Sequence, residues 1–257
     1  MQCLLAFGHG ELDQKIRELT EKIAKDPGNP ELFLARAVLH QSHRDPKAAL
    51  ADYLSATECT PSHPPAFLQL TRFQRKQGSK KEALASIEEY FAILGATAPA
   101  PDAFRERALL ETPQAAMKDW SRYLEISEAI SMTDFEKATR SAMSAKQPEV
   151  ARGFLLEGLQ VYPKSISLHH LYCRLALLKK DQKTARASFK TLELLYPGLL
   201  VKLRYQESEI WSDFNFPVPA KNARRSALDA FRKLPPRLQK TRDLRAIATK
   251  IESALAQ

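Results

Sequence analysis

Six histidines and three cysteines are the residues of this 257-residue chain best suited to metal or nucleophilic chemistry. His40 and His43 stand three apart and His169 adjoins His170, so pairs of imidazoles could meet on one metal ion. No carboxylate or thiolate is placed to complete either set, and His40 and His169 fall at positions the apolar pattern assigns to packing, so no metal is expected. Cys3, Cys59 and Cys173 are far apart and form no C-x-x-C pair. They read as small hydrophobes rather than as a disulfide framework or zinc site. The chain has no G-x-x-x-x-G-K-S/T or G-x-G-x-x-G loop to cradle phosphates, no G-x-S-x-G elbow and no H-E-x-x-H helix. No nucleophile, base and orienting group can be assembled, so a non-enzymatic protein with no catalytic residues and no cofactor is expected.

Charge is more informative. Arg72, Arg140 and Arg174 are separated by multiples of 34 residues, and each guanidinium offers a planar fork of donors suited to carboxylate or phosphate. The whole chain has 39 Lys plus Arg against 30 Asp plus Glu, a formal net of +9. From Pro217 onward ten basic residues (Lys221, Arg224, Arg225, Arg232, Lys233, Arg237, Lys240, Arg242, Arg245, Lys250) face only Asp229, Asp243 and Glu252, which puts +7 in this tail and +2 upstream. Such a run could neutralise phosphates of nucleic acid or an acidic membrane surface, with binding that weakens as salt rises. Its aromatic content is poor for stacking on bases, since Phe231 alone is present and reads as core with Leu228 and Leu234. The alternative is a solvated face on capping helices.

The elements that must position these residues are helical. Hydrophobic residues make up 44%, charged residues 27%, and there are only 8 glycines, while helix formers are plentiful, so an all-α chain is expected. No stretch approaches the roughly 18 apolar residues of a membrane helix. Pro27, Pro61, Pro163 and Pro197 lie on one 34-residue lattice, with Gly95 and Ala129 on the intervening nodes, and each proline ends a helical pattern. The windows starting at Pro30, Pro64, Met132 and Ile166 align. Their fourth positions are Phe33, Phe67, Phe135 and His169; their eighth, Ala37, Thr71, Thr139 and Cys173. Ala49, Ala83, Ala151 and Ala185 share the twentieth position, Tyr53, Ile87, Leu155 and Phe189 the twenty-fourth, and Ala56, Tyr90, Gly158 and Leu192 the twenty-seventh.

At these residues the chain resembles the tetratricopeptide repeat family, a 34-residue helix-turn-helix unit. The resemblance implies a right-handed α-α superhelical solenoid. The physics agrees: positions four, seven, eight and eleven share one face of a first helix, and twenty, twenty-four and twenty-seven share one face of a second. Small residues then let the two helices approach. Arg36 and Asp52 sit where many such repeats join their two helices, by a bond expected to be worth no more than about 1 kcal/mol.

The expected organisation is an N-terminal segment over residues 1–10, a half-repeat over 11–29, and repeats over 30–63, 64–97, 98–131, 132–165 and 166–199, then an extra helix over 200–216 and a basic cap over 217–257. In the middle repeat a first helix is expected over Asp102 to Glu111, with Thr112 capping a second helix that carries Ala116, Trp120 and Tyr123 inward. The loop between these two helices is expected to be about four residues short. The small-x-small pair Ala6 and Gly8 has the form of a signal-cleavage site but lacks a basic start, so the cytoplasm is expected, or export if the natural N-terminus is longer.

The resemblance also implies that first helices line a concave groove that holds a segment of another protein. On the helix wheel, positions two, five, nine and twelve point away from the core. Position nine holds Val38, Arg72, Arg140 and Arg174, with Gln69, Arg75, Glu136 and His170 flanking. An acidic peptide is the expected ligand; the competing expectation is that these arginines pair with acidic neighbours such as Glu136. A chaperone carboxylate clamp, as the family builds it, needs Lys and Asn where Leu34 and Val38 stand. The function expected is therefore a protein-binding adaptor or scaffold, and the alternative is an anion-binding protein whose basic tail meets nucleic acid or membrane.

Overall fold

A computed structural model describes residues 9–94 and 97–256, so the Ala6/Gly8 pair and Cys3 lie outside the described residues. The chain divides after Glu128 into two compact units. The first holds α1 (His9–Lys25), α2 (Pro30–Ser42), α3 (Pro46–Glu58), α4 (Pro64–Lys76), α5 (Lys80–Leu94), α6 (Pro101–Leu110) and α7 (Pro113–Ile126). The second holds α8 (Met132–Ser144), α9 (Pro148–Val161), α10 (Ile166–Leu178), α11 (Gln182–Leu195), α12 (Leu200–Asp213), α13 (Pro217–Arg232), α14 (Pro236–Gln239) and α15 (Arg242–Ala256). Among the described residues there is no strand, and no helix is long and apolar enough to cross a membrane.

Within each unit successive helices pair as hairpins: α2 with α3, α4 with α5 and α6 with α7 in one; α8 with α9, α10 with α11 and α12 with α13 in the other. First helices also pack on first helices, α2 on α4 on α6 and, separately, α8 on α10. Local chemistry sets where each helix begins and ends. Asn29, Asp45, Ser131, Ser165 and Asp181 accept a hydrogen bond from an N–H of the first turn that follows, a cap worth about 1 kcal/mol. Thr112 occupies the same position before α7, yet its side chain makes no capping bond.

The turn inside most hairpins uses one left-handed residue: Arg44, Gly78, Lys146, Lys180 and Asn215 have φ of 60, 82, 58, 59 and 58°. It lets two successive N–H groups fold back onto the last turn, Arg44 to the Gln41 carbonyl at 3.1 Å and Asp45 to the His40 carbonyl at 2.9 Å, with the same pairs of bonds around the other four. The occurrence at Asn215 shows that α12 and α13 close on each other by the same device. A boundary between an extra helix and a separate cap at Phe216 therefore falls inside a hairpin.

The aligned positions form the core. Ala37, Thr71, Thr139 and Cys173 have no exposed surface, nor do Ala49, Ala83, Ala151 and Ala185. Tyr53, Ile87, Trp120, Leu155 and Phe189 are buried between them. At Gly158 the approach is close, because a Cβ there would stand 2.9 Å from Phe135 Cγ and 3.0 Å from Phe135 Cβ.

The middle hairpin differs in how it loses residues. Arg36 donates to Asp52 at 2.9 and 2.7 Å across 16 positions, whereas Arg107 donates to Asp119 at 2.7 and 2.8 Å across 12. The deficit of four is not in the loop alone. Most of it comes from α6, which has 10 residues where α2, α4, α8 and α10 have 13. Only Glu111 and Thr112 then join the helices, too few for a left-handed turn.

Asp52 is 4% exposed, so the Arg36 bond is a buried bidentate pair and stronger than the surface value expected from the sequence. Arg36→Met should lower stability by about 3 kcal/mol, read from urea unfolding, because it strands a buried carboxylate. Gly158→Ala should also destabilise, by about 1–2 kcal/mol. The helix-propensity gain of about 1 kcal/mol is smaller than the overpacking against Phe135, whose Cβ moves only with the backbone. A midpoint equal to or above wild type would show that α8 and α9 can separate without loss.

Candidate functional site

The residues expected to face a ligand all lie on first helices, and the register between neighbouring first helices decides which are satisfied. In the first unit Gln69, Arg72 and Arg75 project from α4, with Gln69 half-buried. Opposite them α6 presents Asp102 and Glu106. Arg72 meets Asp102 at 2.5 Å and lies 3.8 Å from Glu106, while Arg75 donates to Glu106 at 2.5 Å. Arg105 adds a further contact to Glu106 at 3.1 Å. Glu106 is only 2% exposed, so its charge is held by three guanidinium groups. These contacts give Arg72 and Arg75 acidic partners within the first unit, and those partners are not Glu136.

In the second unit the pattern is different. Arg174 on α10 donates to Asp213 at the end of α12 at 2.6 Å. Glu136 on α8 accepts from the Ser167 hydroxyl on α10. Arg140, one turn beyond Glu136, is exposed and has no hydrogen-bond or ion-pair partner among the described residues. The reason is positional: where α6 offers carboxylates to α4, the matching residues of α10 are Ser167 and Leu171. Arg140 is the unpaired cation of the predicted set.

His170 is turned inward. Its Nε2 is buried and has no hydrogen-bond partner among the described residues. Burial, then the nearby positive charges of Arg174 and His169, push its pKa down to about 4, so the ring is neutral at pH 7. His40, His43 and His169 have polar partners of their own. His40 lies 3.7 Å from Asp52, His43 lies 3.2 Å from Asp13, and His169 bonds the Pro163 carbonyl and Ser188. Among the described residues no group of three His, Cys, Asp or Glu could hold a metal ion. Cys59 and Cys173 are buried and free, and burial raises the Cys173 thiol to about 12.

Sequence reasoning missed Glu106, Asp102 and Asp213 as partners. The signal was present for the first two, because a helix over Asp102 to Glu111 packed beside α4 puts two carboxylates opposite Arg72 and Arg75. Asp213 had no such signal, since its pairing depends on α12 folding back over α10.

No protein-family model matches the chain, and no curated protein matches it. Solved structures do. The C-terminal part of a TPR repeat-containing protein from Cytophaga hutchinsonii is 14% identical with a TM-score of 0.63, covering 92% of this chain and 94% of that one. PilF of Pseudomonas aeruginosa is 20% identical with a TM-score of 0.57, covering 79% and 90%. MamA from Desulfovibrio magneticus is 13% identical with a TM-score of 0.57, covering 66% and 96%. The fold is thus the all-α tetratricopeptide-like array of helical hairpins.

The depressed His170 pKa makes stability depend on pH. Between pH 6.5 and 4 the unfolded chain binds a proton at this ring that the folded chain excludes, so this contribution is whole above pH 6.5 and is lost on acidification. Wild type should lose about 2–3 kcal/mol more than His170→Gln between pH 7 and pH 4.5 in urea unfolding. Parallel losses would mean the folded ring protonates normally.

Proposed function

We propose that the protein is a non-enzymatic adaptor whose first helices hold an acidic segment of another protein. The observation that carries this reading is Arg140, an exposed guanidinium left without a counter-ion beside first-helix neighbours whose charges are satisfied internally. Arg72 and Arg174 serve differently from a free cation. Their acidic partners Asp102 and Asp213 have side chains 55% and 51% exposed, so exchanging them for a ligand carboxylate costs little. Gln69 and Arg75 flank Arg72 in the first unit, and Glu136 flanks Arg140 in the second. A tetratricopeptide-like fold supports a protein ligand in general terms, since stacked hairpins preorganise a surface before any partner arrives.

A second reading is supported by the tail. Lys221, Arg225, Arg237, Lys240, Arg245 and Lys250 are exposed and have no acidic partner among the described residues. They would meet nucleic acid or an acidic membrane surface, with affinity falling steeply as salt rises. Removing the tail after Phe216 would strip α13 from α12 and expose Trp211, so charge reversal is the better test.

Fluorescence anisotropy of the full chain with a fluorescein-labelled Asp/Glu-rich dodecapeptide separates the two readings. Arg140→Glu should weaken binding roughly tenfold, and Arg225→Glu with Arg237→Glu should change it little. Loss only with the tail variants, and equal binding of a DNA duplex, would move the function to the tail.

A further inference from the structure

The helices at the end of the second unit enclose a pocket of about 890 Å³ that no sequence pattern pointed to. Leu199 lines it from just before α12, Leu200 from the first position of α12, Leu234 from the segment between α13 and α14, Leu238 from α14 and Leu244 from α15. Leu199 and Leu238 remain 39% and 36% exposed, so apolar surface is open to solvent in a concave site. The volume is in the range that takes a drug-sized apolar group.

Charge around the pocket is unbalanced once internal pairs are set aside. Lys202 lies 3.8 Å from Asp243, Arg232 lies 3.8 Å from Asp229, and Arg204 donates to Glu193 at 2.6 Å and to the Ser226 carbonyl at 3.2 Å. Both acidic groups of the lining thereby have a cationic neighbour. Lys233 and Arg242, which also line the pocket, are exposed and have no partner among the described residues. The uncompensated charge at the rim is entirely positive. The first turn of α12 carries no side-chain cap, and its dipole adds in the same direction.

We propose that this pocket is a second docking site, which receives bulky apolar side chains of an acidic peptide segment, with Lys233 and Arg242 meeting its carboxylates. A peptide fits better than a lipid surface, because the apolar residues form a hollow that accepts protruding side chains, whereas membrane binding needs apolar side chains that protrude into the bilayer. The site is separate from Arg140 and does not depend on that reading.

A phage-displayed dodecapeptide library panned on the full chain, with counter-selection on the Leu238→Arg variant, tests it. Leu238 is exposed enough for this change to leave the fold intact, which circular dichroism and urea unfolding would verify. The enriched peptides should carry two or more bulky apolar residues and net negative charge. As labelled synthetic peptides they should bind at least about tenfold more weakly to Leu238→Arg, and to Lys233→Glu with Arg242→Glu, yet equally to Arg140→Glu. No enrichment, enrichment of neutral or basic peptides, or equal binding to Leu238→Arg would overturn the proposal. Loss with Arg140→Glu alone would place the peptide on the first helices and overturn only this inference. Phosphatidylserine vesicles that bind wild type but not Leu238→Arg, with no peptide selected, would overturn it in favour of lipid.

Discussion

The close approach of two short helices is the constraint on which the rest of the structure depends. Helices of 13 or 14 residues are marginal by themselves, so each must bury a face against a partner. That face works only if side chains no larger than Thr or Cys stand at the eighth position and Ala at the twentieth. Aromatic and branched residues such as Tyr53, Trp120 and Leu155 then fill the space beside the contact. At Gly158 the limit is reached, and even one methyl group would collide with Phe135. The left-handed turn residue and the capping side chains serve the same end, because they bring the second helix back at the one angle that makes this contact.

Charge is arranged around that packing. Two hairpins of the first unit lock their helices with a bidentate Arg–Asp pair, and the 16-residue and 12-residue spacings show that the pair is kept while the chain between shortens. Neighbouring first helices then exchange charge in a register set by their packing. Where the next helix offers carboxylates, as α6 does to α4, arginines become structural. Where it offers Ser167 and Leu171, as α10 does to α8, Arg140 is left facing solvent. Binding capacity is what remains after the fold has satisfied its own charges.

The end of the second unit follows the same logic with a different product. The α12/α13 hairpin repeats the turn used upstream, and Trp211, Phe214 and Phe216 pack it onto α10 and α11. The closing helix α15 seals Ala227 and Leu228 with Ala248 and Ile251. At the first turn of α15 Leu244 joins Leu200, Leu234 and Leu238 around the apolar pocket, beside the unpaired Lys233 and Arg242.

By itself the amino-acid sequence determined the repeat, its helices and the inward residues, because steric fit between helices 34 residues apart writes a periodic pattern of small and large side chains. It also made Arg36–Asp52 legible, since both residues belong to one hairpin and their spacing is fixed by helix geometry. Tertiary structure decided which outward arginines are free. That depends on which side chains the neighbouring first helix presents once packed, and α6 sets Asp102 and Glu106 opposite Arg72 and Arg75. It also decided that His170 turns inward, that Asp213 reaches Arg174, and that leucines of α12, α14, α15 and the segments beside them share one pocket. Each of these joins residues from separate helices with no common period, so only the folded arrangement brings them together.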